Sequence, residues 1–195
     1  MKIRKRMILA SGSPRRKELL GMICDEFEVI VSDCEEIVTS IIPEEVTQEL
    51  SRQKAEAVAS GKYDTADAII IGADTVVSIG QEILGKPKDR EDARRMISML
   101  SGKEHQVSTG ITLIQTDGAG KILQHKSFVE TTRVRVAALT KQEIEAYIDT
   151  DEPYDKAGAY GIQGLFGKHI EGIEGDYNNV VGLPVHRLYA ELKKF

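Results

Sequence analysis

The sequence has little cysteine, and its cysteines form no recognisable metal or redox motif. Cys24 and Cys34 are the only two among 195 residues. They do not form a CxxC pair, and neither lies beside a histidine at zinc-finger spacing. We therefore expect two inert thiols in a protein of a reducing compartment.

A long apolar run is also missing. Residues 1–6 read MKIRKR, which resembles the basic start of a signal peptide, but the apolar run that follows ends at Ala10. A secretory signal needs about 7–15 apolar residues, and a membrane span needs about 20. The sequence therefore predicts a cytoplasmic protein that does not bind a membrane.

Positive charge is not in excess either. Lysine and arginine together number 26 against 31 acidic residues, which gives a formal net charge of -5. Because generic nucleic-acid-binding domains are usually basic, we expect no nucleic-acid partner, although a local basic pocket for phosphate groups stays compatible. The composition is that of an ordinary globular protein. With no repeat, low-complexity tract or Pro/Ser-rich linker, we expect one domain over residues 1–195.

Strand and helix signals alternate along the chain, which predicts an α/β fold with a mixed sheet. Residues 7–11 form an apolar run, and Ser13 followed by Pro14 predicts a capped helix directly after it. Residues 68–72 are apolar and mostly β-branched, which predicts a strand buried on both faces and ending at 73–75. Further strands are predicted at 27–31, 107–115 and 122–136, and a strand with a turn around Gly80 is predicted at 76–84. Further helices are predicted at 43–60, where Gly61 closes the segment, and at 89–102, 140–148 and 184–195.

The turn at residues 11–16, SGSPRR, is the first candidate for chemistry. Glycine lets backbone approach a ligand, and Arg15 and Arg16 offer forked donors that suit phosphate oxygens. Arginines in a first helical turn oppose the helix dipole, which favours a compensating anion. An ordinary turn with solvated arginines is an equal alternative. The turn lacks the Lys-Ser/Thr end of a Walker A motif, so it is not a P-loop.

Asp74, after the apolar strand, is the second candidate. Ligands of open α/β sheets bind beyond the strand ends, so a carboxylate there favours function, although an aspartate capping a turn is a serious alternative. Glu35 and Glu36 could meet Asp74 and hold Mg²⁺ or Mn²⁺ through oxygen ligands, or could simply be solvated. Lys54 and Lys86 are unremarkable alone.

The glycine-rich segment 155–164 is the third candidate, and its Gln163 could pair with the edge of a base. It is not a GxGxxG turn. The histidines show no HExxH spacing and no obvious serine partner, which disfavours a zinc hydrolase and a Ser-His-Asp triad.

Seven segments in order make a more specific pattern: LASGSPRRKELL, QKAEAVA, GADTVV, GKPKD, LSGKEHQVSTG, DEPYDKAGAYGIQG and GDYNNVVGLP. From residue 7 to the C-terminus the chain resembles the Maf family of nucleoside triphosphate pyrophosphatases. The resemblance implies an elongated α/β fold, similar to inosine triphosphate pyrophosphatases, with two lobes around a deep cleft. It also implies a frequent homodimer and hydrolysis of a nucleoside triphosphate to monophosphate and pyrophosphate with a divalent metal, Mg²⁺ or Mn²⁺.

The resemblance also implies roles for single residues. Asp74 is the implied catalytic proton acceptor; it either takes a proton from water directly or orients a metal-bound hydroxide, with Glu36 sharing the metal. Arg15, Thr75 and Gln163 match the branch of the family that acts on dTTP and UTP. The physiological substrate is either one of these nucleotides or a modified pyrimidine nucleotide. The implied phosphate and substrate contacts are Ser11, Arg15, Arg16, Lys54 and Lys86. Two other classes stay open: a nucleotidyltransferase, and a non-catalytic nucleotide-binding regulator of cell division.

Overall fold

The structure is a computed structural model that describes residues 5–31, 34–60 and 62–195. Over these residues the strands are β1 (Arg6–Leu9), β2 (Glu28–Val29), β3 (Ala68–Ile79), β4 (Glu82–Leu84), β5 (Glu104–Thr116), β6 (Ile122–Val136) and β7 (Ile170–Glu174). The α-helices are α1 (Pro14–Leu20), α2 (Pro43–Ala59), α3 (Arg90–Leu100), α4 (Lys141–Ile148), α5 (Tyr177–Val181) and α6 (Val185–Leu192). Three short 3-10 helices cover Glu152–Asp155, Ala157–Ala159 and Leu165–His169.

The strands form one mixed sheet in the order β2-β1-β3-β5-β6-β7, and β4 pairs with β3. β1 runs parallel to β2 and β3, whereas all other pairs are antiparallel. The predicted α/β fold with a mixed sheet is therefore confirmed. The two-lobe cleft stays a prediction.

Helices cover both faces of the sheet, and β3 is buried between them. Ile69 and Ile71 pack with α1 and α6, whereas Ile70 packs with Ala55 and Val58 of α2. Neighbouring residues of a strand face opposite ways, so the β-branched run supplies apolar side chains to both layers. Each fully buried aliphatic side chain contributes about 1.5–3 kcal/mol, so this burial holds the site's framework together.

The predicted end of the central strand at residues 73–75 is wrong. β3 continues to Ile79, because β5 pairs with it from Ile69↔Gln115 to Ser78↔Gln106. This ladder joins segments far apart in sequence, which local patterns do not reveal. The predicted turn at Gly80 is confirmed, since Gly80 has φ 59° between β3 and β4.

The predicted starts of three helices are confirmed. Ser13, Asp89 and Thr140 cap α1, α3 and α4 through their side chains. The pattern did not predict β7 or α5. Gly61, expected to end α2, lies outside the described residues. None of the described helices combines the length and apolar character needed to cross a membrane.

Candidate active site

An open stretch of strand edge organises the site. β1 follows β3 only as far as the pair Leu9↔Ile71, and β4 joins the same edge only from Val77. Between them, residues 72–76 pair with β5 on one side and with no described strand on the other. The chain leaves β1 at Ala10, whose amide donates to the Ile71 carbonyl at 2.8 Å. The turn into α1 therefore lies beside this open edge.

An ion-pair cluster occupies one face of the edge. Lys54 Nζ lies 2.5 Å from Asp74 Oδ1 and 3.0 Å from Glu36 Oε1. The side chains of Lys54 and Asp74 are 16% and 14% exposed, and that of Glu36 is 51% exposed. Asp74 lies within a strand and bonds a lysine, so it is not the turn cap considered as its alternative. Two carboxylates converge on one ammonium.

Two glycines allow α2 to bring Lys54 to Asp74. A Cβ on Gly72 would lie 2.1 Å from the Ser51 carbonyl oxygen, and one on Gly110 would lie 2.3 Å from that of Thr47. No side chain fits at either position, so the backbone of α2 rests directly on β3 and β5. The glycine of the GADT motif therefore sets the distance between helix and strand.

The opposite face carries a guanidinium clamp. Arg16 donates from Nη1 to Ser11 Oγ at 3.1 Å, from Nη2 to Thr75 Oγ1 at 2.9 Å and from Nε to the Gly182 carbonyl at 2.9 Å. Burial lowers the pKa of Arg16 from its ordinary value, and the Asp74 carboxylate opposes that shift. Asp74 thus acts on Arg16 electrostatically, although Asp74 and Thr75 project from opposite faces of β3.

The direction of the hydrogen bonds at Thr75 can be worked out. Thr109 Oγ1 donates to the Asn179 carbonyl at 3.1 Å, so it must accept the proton of Thr75 Oγ1, which lies 3.0 Å away. A threonine hydroxyl has one proton. Thr75 therefore accepts from Arg16, donates to Thr109 and keeps no proton for a ligand in this arrangement. No role was predicted for Thr109 or Asn179, although segments of the family pattern contain both.

Arg15, Lys86 and Gln163 lie apart from these two groups. Arg15 Nη1 lies 3.1 Å from Asp155 Oδ2, in the segment that leads to the glycine-rich turn. Lys86 and Gln163 are exposed, and within the described chain no hydrogen bond or ion pair joins them to Asp74 or Arg16. The Lys86 loop is tied to the glycine-rich segment, because Gly158 N donates to the Gly85 carbonyl at 3.0 Å.

The comparison with known proteins decides the family. The profile described as "Maf-like protein" matches residues 6–195. The chain belongs to the Maf family. A relative from Agathobacter rectalis, named dTTP/UTP pyrophosphatase, is 57% identical and is aligned over 96% of each chain. Relatives with the same name from Carboxydothermus hydrogenoformans and Lachnoclostridium phytofermentans are 50% and 48% identical, over at least 94% of each chain.

The donor set of this Maf protein fits a divalent cation that is held jointly with phosphate oxygens. Glu36 and Asp74 lie close enough together to contact one nitrogen of Lys54, so their other oxygens would be the donors for a divalent cation beside that ammonium. Among the described residues, no group of three or more histidine, cysteine or acidic side chains could hold a metal. Mg²⁺ commonly uses one or two carboxylates and completes its shell with water and substrate phosphates.

Proposed function

We propose that the protein hydrolyses dTTP and UTP to the monophosphate and pyrophosphate. The observation that carries the proposal is the 2.5 Å contact of Asp74 with Lys54 at an open strand edge, with Arg16 on the other face. Relatives at 48–57% identity are named dTTP/UTP pyrophosphatases, which supports dTTP and UTP as the substrates. Modified pyrimidine triphosphates belong to the same proposed class.

Asp74 is the proposed general base. Lys54 holds its Oδ1, so the second carboxylate oxygen stays available to accept a proton from the attacking water. The oxygen of that water forms the new bond to the α phosphorus, and the bond from the α phosphorus to the oxygen that bridges the α and β phosphates breaks. The proton of the water passes to Asp74, and pyrophosphate leaves. A positioned general base typically contributes about 100- to 10,000-fold in rate.

Cationic side chains hold the triphosphate. Arg15 and Arg16 offer forked donors that match phosphate oxygens, and Ser11 keeps one guanidinium nitrogen of Arg16 in place. Lys86, in its exposed loop, would add a point charge for the departing pyrophosphate. Arg15, Thr75 and Gln163 are the proposed determinants of pyrimidine selectivity, with Thr75 acting through Arg16.

We further propose that Asp74 and Glu36 hold Mg²⁺ or Mn²⁺ together with the substrate. With the cation in place, Asp74 either takes the proton of the attacking water itself or orients that water beside the cation. When bound, the cation supplies charge neutralisation on the phosphate oxygens. Glu36 is half-exposed and its second oxygen stays free of hydrogen bonds within the described chain, so it can turn toward a ligand. The homodimer and the cytoplasmic location stay predictions.

A pyrophosphate-release assay over a panel of nucleotides tests the proposal. With Mg²⁺ or Mn²⁺, dTTP and UTP should release pyrophosphate much faster than ATP and GTP. Release of orthophosphate would contradict the reaction, and equal turnover of purine and pyrimidine nucleotides would contradict the selectivity. Tight nucleotide binding without any release would instead favour the non-catalytic regulator, and nucleotide incorporation into an acceptor would favour the nucleotidyltransferase.

A further inference from the structure

Glu152 holds the turn that carries Gln163. Its Oε2 accepts from Leu165 N at 2.7 Å, and its Oε1 accepts from Phe166 N at 3.4 Å and from Tyr147 OH at 3.0 Å. One carboxylate thus binds both backbone amides that follow the turn at residues 161–164. Hydrogen bonds to an ionised acceptor are roughly twice as strong as neutral ones.

The turn also packs tightly on this carboxylate. A Cβ on Gly164 would lie 2.2 Å from Glu152 Oε2, and a Cβ on Gly161 would lie 2.7 Å from Lys156 Cε. Because they carry no side chains, these two glycines bring the turn that holds Gln163 directly against Glu152 and Lys156. Their spacing in the sequence therefore serves the approach to Glu152 and Lys156.

The same segment reaches Arg15. Lys156 Nζ donates to the Glu152 carbonyl at 2.7 Å and to Asp155 Oδ1 at 2.5 Å, and Asp155 binds Arg15 at 3.1 Å. The Arg15 pair is partly solvated, with side chains 34% and 62% exposed, and such pairs add little to stability. The contact holds the Arg15 side chain toward the segment that carries Gln163.

We propose that Glu152 is a positioning residue that fixes Gln163 relative to Arg15 and thereby sets selectivity among pyrimidine bases. The inference rests on the proposed function, because it assigns Gln163 and Arg15 to the substrate. Glu152 itself does not touch the nucleotide. It acts through the backbone of the turn, and a change at Glu152 alters selectivity only where Gln163 is present.

A double-mutant cycle tests this dependence. The ratio of kcat/KM for UTP to that for CTP is measured in the wild type, Glu152→Gln, Gln163→Ala and the double variant. Both oxygens of Glu152 accept from backbone amides, whereas glutamine has one acceptor oxygen and one NH₂ group, which is a donor. Glu152→Gln should therefore lower the ratio by about 2- to 10-fold, the effect of one lost hydrogen bond. In the Gln163→Ala background it should lower the ratio no further.

The ratio compares two substrates in one preparation, so it does not depend on the folded fraction. Tyr147→Phe removes one of the three donors to Glu152 and keeps the aromatic ring, so it should shift the ratio in the same direction by less. Asp151→Asn is the matched control, because Asp151 is exposed, lies next to Glu152, and makes no capping hydrogen bond with its side chain at the start of the 3-10 helix. Its ratio should equal that of the wild type.

Each outcome separates the two claims. An active, selective wild type whose ratio is unchanged by Glu152→Gln overturns the role of Glu152 alone. Equal losses in the presence and absence of Gln163 also overturn it, because Glu152 would then act independently of that side chain. A wild type that releases no pyrophosphate overturns the proposed function together with this inference.

Discussion

Asp74 and Lys54 form a 2.5 Å ion pair between β3 and α2, and both side chains are mostly buried. Glu36 is the second partner of the lysine, at 3.0 Å. The pair lies on the stretch of β3 between the end of its pairing with β1 and the start of its pairing with β4. Charge, burial and an accessible strand edge thus coincide at one point, which is why the catalytic proposal centres on Asp74.

The close approach of α2 to β3 predicts the effect of Gly72→Ala. A Cβ there would lie 2.1 Å from the Ser51 carbonyl, so the helix must move and carry Lys54 away from Asp74. We expect a loss of about 1–3 kcal/mol in the free energy of unfolding, as for other overpacked sites, and a clear fall in kcat.

Gly85→Ala is the control for stability, because a Cβ at Gly85 meets nothing within 4 Å. Melting temperatures of both variants and of the wild type decide the matter. A Gly72→Ala protein that melts and turns over like the wild type would show that α2 tolerates the shift, contrary to the proposed role of the glycine.

The hydroxyl chain at Thr75 predicts a kinetic effect of Thr109→Val. Valine keeps the shape of threonine but removes the acceptor for the Thr75 proton, so Thr75 turns and its bond to Arg16 weakens. We expect KM for dTTP and UTP to rise by about 2- to 10-fold, the effect of one hydrogen bond. Steady-state kinetics measure the change.

Ser108→Ala removes a buried hydroxyl from the other face of the same strand, where it bonds Thr131 at 2.9 Å. It should lower stability to a similar degree and leave KM unchanged. If both variants raise KM alike, the effect belongs to the strand as a whole and the chain from Thr109 to Arg16 is not its cause.

Sequence patterns predicted those parts of the fold that depend on neighbouring residues. Ser13, Asp89 and Thr140 cap helices through bonds to amides three positions ahead, so short motifs are sufficient to find them. The run at 68–72 predicted a strand buried on both faces, because apolar β-branched residues there admit little else.

Contacts between distant segments could not be predicted in the same way. β3 extends past Asp74 because β5 lies beside it, and Thr109 reaches Asn179 across 70 positions of sequence. Family resemblance supplied Lys54 and Glu36 as pocket residues, and the structure places both on Asp74's side of the sheet. The contacts of Lys86 and Gln163 with a substrate stay predictions.

Buried His105 predicts a pH dependence of stability. Burial lowers the pKa of His105 from 6.5 to about 4, and its Nε2 lies 2.7 Å from Tyr160 OH. Between pH 6.5 and about pH 4, His105 is therefore protonated in the unfolded chain and neutral in the folded chain. Stability is complete above about pH 6.5 and falls as the pH drops toward 4, by on the order of 3 kcal/mol.

Thermal melting between pH 7 and pH 4 measures this loss. His105→Gln keeps a polar partner for Tyr160 but cannot take a proton, so its melting temperature should fall less steeply across the interval. His125→Asn is the control, because His125 is exposed, and it should follow the wild type. Parallel curves for all three proteins would assign the acid sensitivity to other groups.

The Asp74→Asn variant is the most direct test of Asp74 as the general base. Asparagine keeps the size of the side chain and removes the proton acceptor, while Lys54 retains Glu36 as a partner at 3.0 Å. Pyrophosphate release from dTTP and thermal melting are measured on the same preparation. If Asp74 is the general base, kcat falls by at least about 100-fold while the melting temperature stays close to that of the wild type. An Asp74→Asn protein that turns over dTTP at the wild-type rate per folded molecule, whatever its melting temperature, would contradict that role.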